Sequence, residues 1–186
     1  MILVTGATGF VGRRLIEKLR QTNHEAIAVI RNDSIFVSSA VGTINIGDLL
    51  ATTNWATALN DIDTVIHLAA RVHVMDDSAV DPLTEFRKVN VDATLNLAKQ
   101  AADANVKRFI FISSIKVNGE ETSVGLPFKP DDKNIPTDPY GLSKCEAEQG
   151  LLTLAKETAI EVVIIRPPLV YGPNVRANFA SMMAWV

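Results

Sequence analysis

Three glycines recur at a spacing of three in the stretch Thr5-Gly6-Ala7-Thr8-Gly9-Phe10-Val11-Gly12, near the start of the chain. An apolar run of strand type, Ile2 to Thr5, precedes this stretch, and apolar residues at helical spacing follow it. A strand, a glycine turn and a helix in this order can bind a pyrophosphate, because the N–H groups at the helix start are free and carry positive potential. The stretch therefore predicts a dinucleotide-binding turn, and a purely structural turn is the alternative.

Each glycine of this turn has a separate expected task. Gly6 permits the tight turn, Gly9 lets a phosphate approach the backbone, and Gly12 lets helix and strand pack closely. The cofactor-binding residues expected from the turn are Gly6, Thr8, Gly9, Phe10, Val11 and Gly12.

Short apolar runs of strand type alternate along the chain with longer segments of helical period. The expected strands are Ile2–Thr5, Ala26–Ile30, Thr64–Leu68, Arg108–Ser113 and Glu161–Arg166. Such alternation favours βαβ units, so we expect an α/β fold built on a doubly wound parallel sheet. The polar stretch from Asn118 to Asp138, rich in glycine and proline, predicts a long surface loop.

The composition excludes several classes of function. With 186 residues, 47% of them hydrophobic, the chain can bury one sizeable core, and its net charge of −3 gives no basic surface for nucleic acid. No apolar run reaches the roughly 18 to 20 residues that span a membrane, and no signal peptide is visible, so we expect a cytoplasmic protein. Cys145 is the only cysteine, and no His/Cys cluster predicts a metal site.

The residue at the end of the second expected strand bears on which dinucleotide binds. NAD enzymes usually place an acidic residue there, whereas this chain has Arg31. A guanidinium can hold a 2′-phosphate in a forked geometry, so Arg31 favours NADP over NAD. The alternative is that Arg31 is only an exposed residue at a strand end and that Asp33 turns inward.

Tyr140 and Lys144 stand four residues apart on a helix expected to begin near Asp138, with Pro139 suited to its first turn. Residues at this spacing share one face of a helix. A neighbouring ammonium lowers the pKa of a phenol, so Tyr140 can exchange a proton with a hydroxyl while hydride moves to or from a nicotinamide.

The sequence as a whole resembles an extended short-chain dehydrogenase/reductase, close to the nucleotide-sugar epimerases, dehydratases and 4-keto reductases. The resemblance covers the whole chain. It rests on Thr5 to Gly12, Gly47-Asp48-Leu49, His67-Leu68-Ala69-Ala70, Asn90-Val91, Ser113-Ser114, the Tyr140/Lys144 pair and Arg166 to Pro173. It implies a Rossmann domain over residues 1–166, NAD(P) as cofactor and a nucleotide sugar as partner, and it is compatible with a homodimer.

The resemblance also implies a role for individual residues. Ser114 would help Tyr140 hold the reacting oxygen, with Ser113 as the alternative serine, and Lys144 would also bind the nicotinamide ribose. Asp48 and Leu49 would meet the adenine, although Asp48 could instead cap a following helix. The remaining expected cofactor contacts are Leu68, Ala69, Ala70, Asn90, Tyr140 and Pro167, whereas His67 is expected to pack in the core.

The expected function is a nucleotide-sugar 4-epimerase or 4-keto reductase. An NADPH-dependent reductase of small carbonyl compounds and a non-catalytic NAD(P)-binding sensor or scaffold are the alternatives. Dehydration is not expected, because Ile115 and Lys116 stand where 4,6-dehydratases of this family need a carboxylate pair. Asn118 and Leu169 replace a tyrosine and an asparagine often found in the family, which leaves the substrate open.

The final residues differ in character from the rest of the chain. Ala177 to Val186 reads as an apolar helix without a cap or a polar tail. We therefore expect the natural chain to continue, with residues 167–186 forming only the beginning of a substrate-binding lobe.

Overall fold

Six parallel strands form one sheet within the residues that the computed structural model describes, which are 1–32, 41–72 and 81–173. The order across the sheet is β3-β2-β1-β4-β5-β6. The strands are β1 (Ile2–Thr5), β2 (Ala26–Ile30), β3 (Gly42–Asn45), β4 (Thr64–His67), β5 (Arg108–Ile112) and β6 (Glu161–Ile165). The order changes direction between β1 and β4, so a crevice for ligands opens where these two strands end. The expected doubly wound α/β sheet is confirmed.

Four α-helices cover the sheet in the described part of the chain: α1 (Phe10–Gln21), α2 (Pro82–Arg87), α3 (Ala93–Asp103) and α4 (Pro139–Glu157). A π-helical turn, Lys88–Asp92, joins α2 to α3. The Asp138 carboxylate caps α4 by accepting a hydrogen bond from the Gly141 N–H at 2.9 Å, and Pro139 fills the first turn.

The two faces of the sheet carry separate clusters of buried side chains. On one face, Leu3, Val65 and Phe109 pack against Leu97 of α3 and Leu151 of α4. On the other face, Val4 and Ala28 pack against Ile16 and Leu19 of α1. Neighbouring residues of a strand point to opposite faces of the sheet. Because both faces are covered, successive strand residues are buried and apolar, as the sequence pattern indicated.

Two elements differ from the sequence expectation. Strand β3 was not predicted, because Gly42-Thr43-Ile44-Asn45 is a short edge strand with mostly exposed residues and no apolar run. Apolar residues recur at helical spacing from Phe86 to Leu97, which is typical of one continuous helix, but the π-helical turn interrupts this segment. Residues 119–138 contain neither strand nor helix, in agreement with the expected loop, whereas the apolar ending lies outside the described residues.

Candidate active site

A cavity of about 590 Å³ opens at the carboxyl ends of the central strands. It is bounded by Thr5 at the end of β1, Ile30 at the end of β2 and Ile112 at the end of β5. Most of the residues expected to bind the cofactor line it, namely Gly6, Thr8, Gly9, Phe10, Val11, Gly12, Arg31, Asp48, Leu49, Leu68, Ala69 and Ala70.

The glycine turn is packed so closely that side chains are excluded from two positions. A Cβ on Gly12 would lie 2.1 Å from the Gly6 carbonyl oxygen, and one on Gly6 would lie 2.6 Å from the Ala69 nitrogen. Gly6 also has a φ of 67°, which favours glycine. Gly9 is the N-cap of α1 and supplies no side-chain cap, so the first-turn N–H groups remain available to an anion. The turn and the cavity therefore fit a dinucleotide.

Some lining residues were not anticipated, although each lies next to an expected segment. They are Thr5, Val29, Ile30, Gly47, Leu50, Val72, Val89 and Ile112. Most of them could have been predicted from their position at the end of a strand beside the glycine turn.

The prediction that Asp48 caps a helix is wrong. Residues 49–63 contain no helix, and the Asp48 carbonyl accepts a hydrogen bond from the Thr53 hydroxyl.

Four residues expected to contact the cofactor do not line this cavity: Asn90, Tyr140, Lys144 and Pro167. The Pro167 carbonyl instead accepts a hydrogen bond from the Ile115 N–H at 3.0 Å, which joins the segment after β6 to the segment after β5. Tyr140, Lys144 and Asn90 are brought together on and beside α4.

The serine that meets Tyr140 is Ser114, at the beginning of the short 3₁₀ helix Ile115–Val117. Its hydroxyl lies near enough to the Tyr140 phenol to lower the pKa of that phenol, and it accepts a hydrogen bond from the Lys116 N–H at 3.3 Å. The Ser113 hydroxyl is buried and has no hydrogen-bond partner in the part of the chain that the structure describes. The geometry therefore favours Ser114 over Ser113 as the serine of the site.

The pKa of Tyr140 is raised rather than lowered, which differs from the sequence expectation. Burial is the main cause, because it disfavours the charged phenolate, and the nearby Asp138 carboxylate adds to it. The Ser114 hydroxyl acts in the opposite direction but is outweighed. The Phe86 ring packs edge-on against Tyr140 with centroids 6.0 Å apart. Tyr140 is therefore a neutral phenol at neutral pH in this structure.

Lys144 lies one turn after Tyr140 and is almost completely buried, with 2% of its surface exposed. Burial lowers the pKa of Lys144 to about 7, and the Glu148 carboxylate one turn further on opposes this shift. The Nζ atom lies 4.2 Å from the centroid of the Phe111 ring. Lys144 can therefore gain or lose its proton near neutral pH.

The side-chain amide of Asn90 connects the loop after β4 to α4. Its oxygen accepts from the Arg71 N–H at 2.8 Å, and its nitrogen donates to the Arg71 carbonyl and to the Ser143 hydroxyl, both at 3.0 Å. Ser143 in turn donates to the Tyr140 carbonyl at 2.8 Å. Asn90, in the π-helical turn, thus holds the loop that lines the cavity against the helix that carries Tyr140.

A buried ion pair attaches the long loop to α4. Arg166, just after β6, donates to both oxygens of Glu148 at 2.6 to 3.2 Å, and Glu148 is 3% exposed. Arg166 also donates to the Asn118 side-chain oxygen at 3.0 Å, while the Asn118 nitrogen donates to the Lys129 carbonyl at 2.7 Å. Asn118 therefore points inward and anchors the loop.

His67 is buried at the end of β4, as expected. Its ring nitrogens form hydrogen bonds with the Thr5 and Thr94 hydroxyls at 2.7 and 3.0 Å. Burial lowers the pKa of His67 to about 3, and the charge on Lys144 contributes. His67 is therefore a neutral structural residue between β1 and α3.

Comparison with known proteins identifies relatives along the whole chain. A model of the NAD dependent epimerase/dehydratase family matches residues 2–185. A UDP-glucose 4-epimerase of Vibrio cholerae is 51% identical over 193 residues, which cover 100% of this chain and 56% of that protein. The chain spans about half the length of the curated relatives it matches.

Two solved structures have the same fold with a ligand bound. The structure of MoeE5 in complex with UDP-glucuronic acid and NAD is 32% identical, with a TM-score of 0.79, and the match covers 97% of this chain and 59% of that one. UDP-glucuronic acid 4-epimerase from Bacillus cereus, in complex with UDP-glucuronic acid and NAD, is 29% identical with a TM-score of 0.81. That match covers 95% of this chain and 59% of that one.

Residues 1–32, 41–72 and 81–173 contain neither a membrane-spanning helix nor a cluster of metal ligands. None of the helices there has the length and apolar character needed to cross a membrane. Nor do three or more His, Cys, Asp or Glu side chains come together there in a group that could hold a metal ion.

Proposed function

This chain belongs to the NAD dependent epimerase/dehydratase family, and we propose that it forms the cofactor-binding and catalytic part of a UDP-sugar 4-epimerase. The observation that carries the proposal is the contact between Ser114 and Tyr140 beside the buried Lys144. These groups lie past the end of β5, on the side of the sheet where the dinucleotide cavity opens. Residues from Pro167 onward are proposed to begin the substrate-binding part.

The chain's own residues account for proton transfer at the sugar. Ser114 Oγ orients the reacting hydroxyl. On oxidation the phenolate form of Tyr140 takes the proton of that hydroxyl at Oη, and on reduction the resulting phenol returns it. The positive charge of the Lys144 ammonium, one turn away on α4, favours the phenolate form of Tyr140 and opposes the effect of burial on it. The bound dinucleotide would supply the acceptor and donor of the hydride at the same carbon.

The cofactor is proposed to be NAD. MoeE5 and the Bacillus cereus epimerase have NAD in their solved structures, and the preference for NADP that Arg31 indicated has no support from them. Arg31 does line the cavity, and this observation favours a second candidate function, an NADPH-dependent 4-keto reductase of nucleotide sugars.

The test is turnover by the full-length protein supplied with NAD and each of UDP-glucose, UDP-galactose and UDP-N-acetylglucosamine. We expect mass-neutral conversion of one sugar into its C4 epimer, followed by NMR of the anomeric proton. Tyr140→Phe serves as the inactive control, since it retains the cavity but lacks the phenol.

Other products would identify other functions. A gain of two hydrogens from a 4-keto nucleotide sugar, together with oxidation of NADPH and no epimerisation, would replace the epimerase by the keto reductase. Loss of one water would show dehydration, for which Ile115 and Lys116 offer no carboxylate pair. Cofactor binding without any conversion would favour a sensor or scaffold and reject the enzyme.

A further inference from the structure

The ammonium group of Lys144 lies over the face of an aromatic ring. Its Nζ atom is 4.2 Å from the centroid of the Phe111 ring, and Phe111 itself is 0% exposed. The face of an aromatic ring attracts a cation within about 6 Å, and the attraction is stronger where water is excluded. The Phe111 ring therefore stabilises the ammonium form of Lys144.

The titratable groups around Lys144 do not neutralise it. Glu148, one turn later on α4, raises the pKa of Lys144, but its two oxygens are already bonded to Arg166, which follows β6. Tyr140, one turn earlier, is a neutral phenol because burial raises its pKa. His67 on β4 is a neutral ring because burial lowers its pKa. Among the residues that the structure describes, the Phe111 ring is thus the group that lies directly against the ammonium.

The Phe111 ring is also fixed in place by its neighbours. In the sheet, Phe111 on β5 is paired with His67 on β4 and with Ile164 on β6. The His67 ring stacks on Phe111 with centroids 6.0 Å apart and planes at 17°. His67 is in turn held by hydrogen bonds to Thr5 and Thr94. The ring face below Lys144 therefore cannot easily turn away.

We propose that Phe111 is a positioning residue for the reaction, whose ring face stabilises the ammonium form of Lys144 and holds it in place one turn from Tyr140. The proposal rests on the proposed function only in giving Lys144 a part in turnover. The contact itself does not depend on which substrate binds.

The test replaces Phe111 by mono-, di- and trifluorophenylalanine, which withdraw electrons from the ring face while nearly preserving its shape. The readout is the pKa of Lys144, measured by NMR on the full-length protein with lysine labelled at Cε, and assigned by loss of the signal in Lys144→Met. Weakening the ring face destabilises the ammonium, so the pKa of Lys144 should fall stepwise, by about one unit over the series. The pH–rate profile should shift in the same direction.

Phe109 provides the matched control. It lies two residues earlier on β5 and is as deeply buried as Phe111. Like Phe111, it packs against the His67 ring, with centroids 5.9 Å apart. The ammonium lies over Phe111, so the same fluorinated residues at position 109 should leave the pKa of Lys144 unchanged.

The possible results separate this inference from the proposed function. A constant pKa of Lys144 across the series at Phe111, or an equal fall in both series, overturns the inference. A stepwise fall at Phe111 alone supports it even if no UDP-sugar is converted, in which case the proposed function fails by itself. Phe111→Leu, which removes the ring altogether, should lower the pKa further, and an unchanged value there would also overturn the inference.

Discussion

The two halves of the sheet build their parts of the candidate site by different means. In the cofactor half, formed by β1 to β3 with α1, the glycine turn is shaped by backbone atoms and by the absence of side chains. In the catalytic half, formed by β4 to β6 with α3 and α4, buried side chains meet from distant parts of the chain. The glycine turn therefore depends on a short continuous stretch of sequence, and the catalytic half depends on long-range contacts.

Because of this difference, substitutions should damage the two halves in different ways. An added methyl group should damage the glycine turn of the cofactor half, because there is no space for it at Gly6 or Gly12. Loss of a single partner should damage the catalytic half, because a buried charge or polar group then remains without compensation.

The largest expected effect separates chemistry from binding. Tyr140→Phe removes the proton-transfer group but retains the ring against Phe86, so turnover should fall by about 10²- to 10⁴-fold while cofactor affinity stays nearly the same. Steady-state kinetics and cofactor titration on the full-length protein measure the two quantities. Near-normal turnover would show that Tyr140 is not the acid or base.

The next largest effect concerns the buried ion pair of the catalytic half. Arg166→Met leaves the Glu148 carboxylate buried without its cation, so the free energy of unfolding should fall by about 3–5 kcal/mol in urea titrations. Arg108→Met is the matched control, because it removes an exposed pair with Glu161 and should cost less than about 1 kcal/mol. Equal losses in the two variants would contradict the contrast between buried and exposed pairs.

A single methyl group tests the cofactor half. Gly12→Ala would place a Cβ 2.1 Å from the Gly6 carbonyl oxygen, so the turn must shift; we expect about 1–3 kcal/mol of lost stability and a marked loss of cofactor affinity. Gly42→Ala is the control, since a Cβ there meets only ordinary contacts at 3.6 Å. If calorimetry and cofactor titration gave the same result for both, the close packing of the turn would be irrelevant.

Lys144→Met should make the protein more stable and inactive. The folded pKa of Lys144, about 7, lies below its ordinary value of 10.5, so the wild type pays a burial cost that is full below pH 7 and disappears as pH rises towards 10.5. We expect a gain of about 1–3 kcal/mol at pH 7 and a smaller gain at pH 10. Urea unfolding at the two pH values checks the direction, and a gain that grows with pH would refute it.

The smallest expected effect concerns the choice of cofactor. Arg31 is exposed at the edge of the cavity, so Arg31→Ala should weaken NADP binding by less than about tenfold and leave NAD binding unchanged. Fluorescence titration of both dinucleotides gives the ratio. Tighter binding of NADP than of NAD by the wild type would reject the proposed cofactor.

Sequence predicted the cofactor half better than the catalytic half, for a physical reason. The glycine turn is contiguous and its requirements are local, so each glycine could be given a task before the structure was known. Strand β3 was missed because an exposed edge strand needs no apolar run. The Tyr140/Lys144 pair was predicted from its helical spacing and from the family resemblance, and both residues lie on α4.

The long-range contacts of the catalytic half could not be predicted from spacing. Asn90 was expected at the cofactor. It does not line the cavity, and its amide forms hydrogen bonds with Arg71 and Ser143, which only folding brings close to it. The pKa of Tyr140 had the wrong expected direction because the sequence does not show how deeply the phenol is buried. Likewise, nothing in the sequence indicated that Glu148 pairs with Arg166.

The π-helical turn Lys88–Asp92 has a consequence for how sequences of this kind can vary in length. Such a turn contains one residue more than the α-helical turn it replaces, so it corresponds to a single-residue insertion within a helix. Deleting one residue there would restore a regular helix but rotate Asn90 by about 100° relative to α3, away from Arg71 and Ser143. Single-residue deletions should therefore be tolerated in the exposed loop around Gly125 and not at this point of the helix.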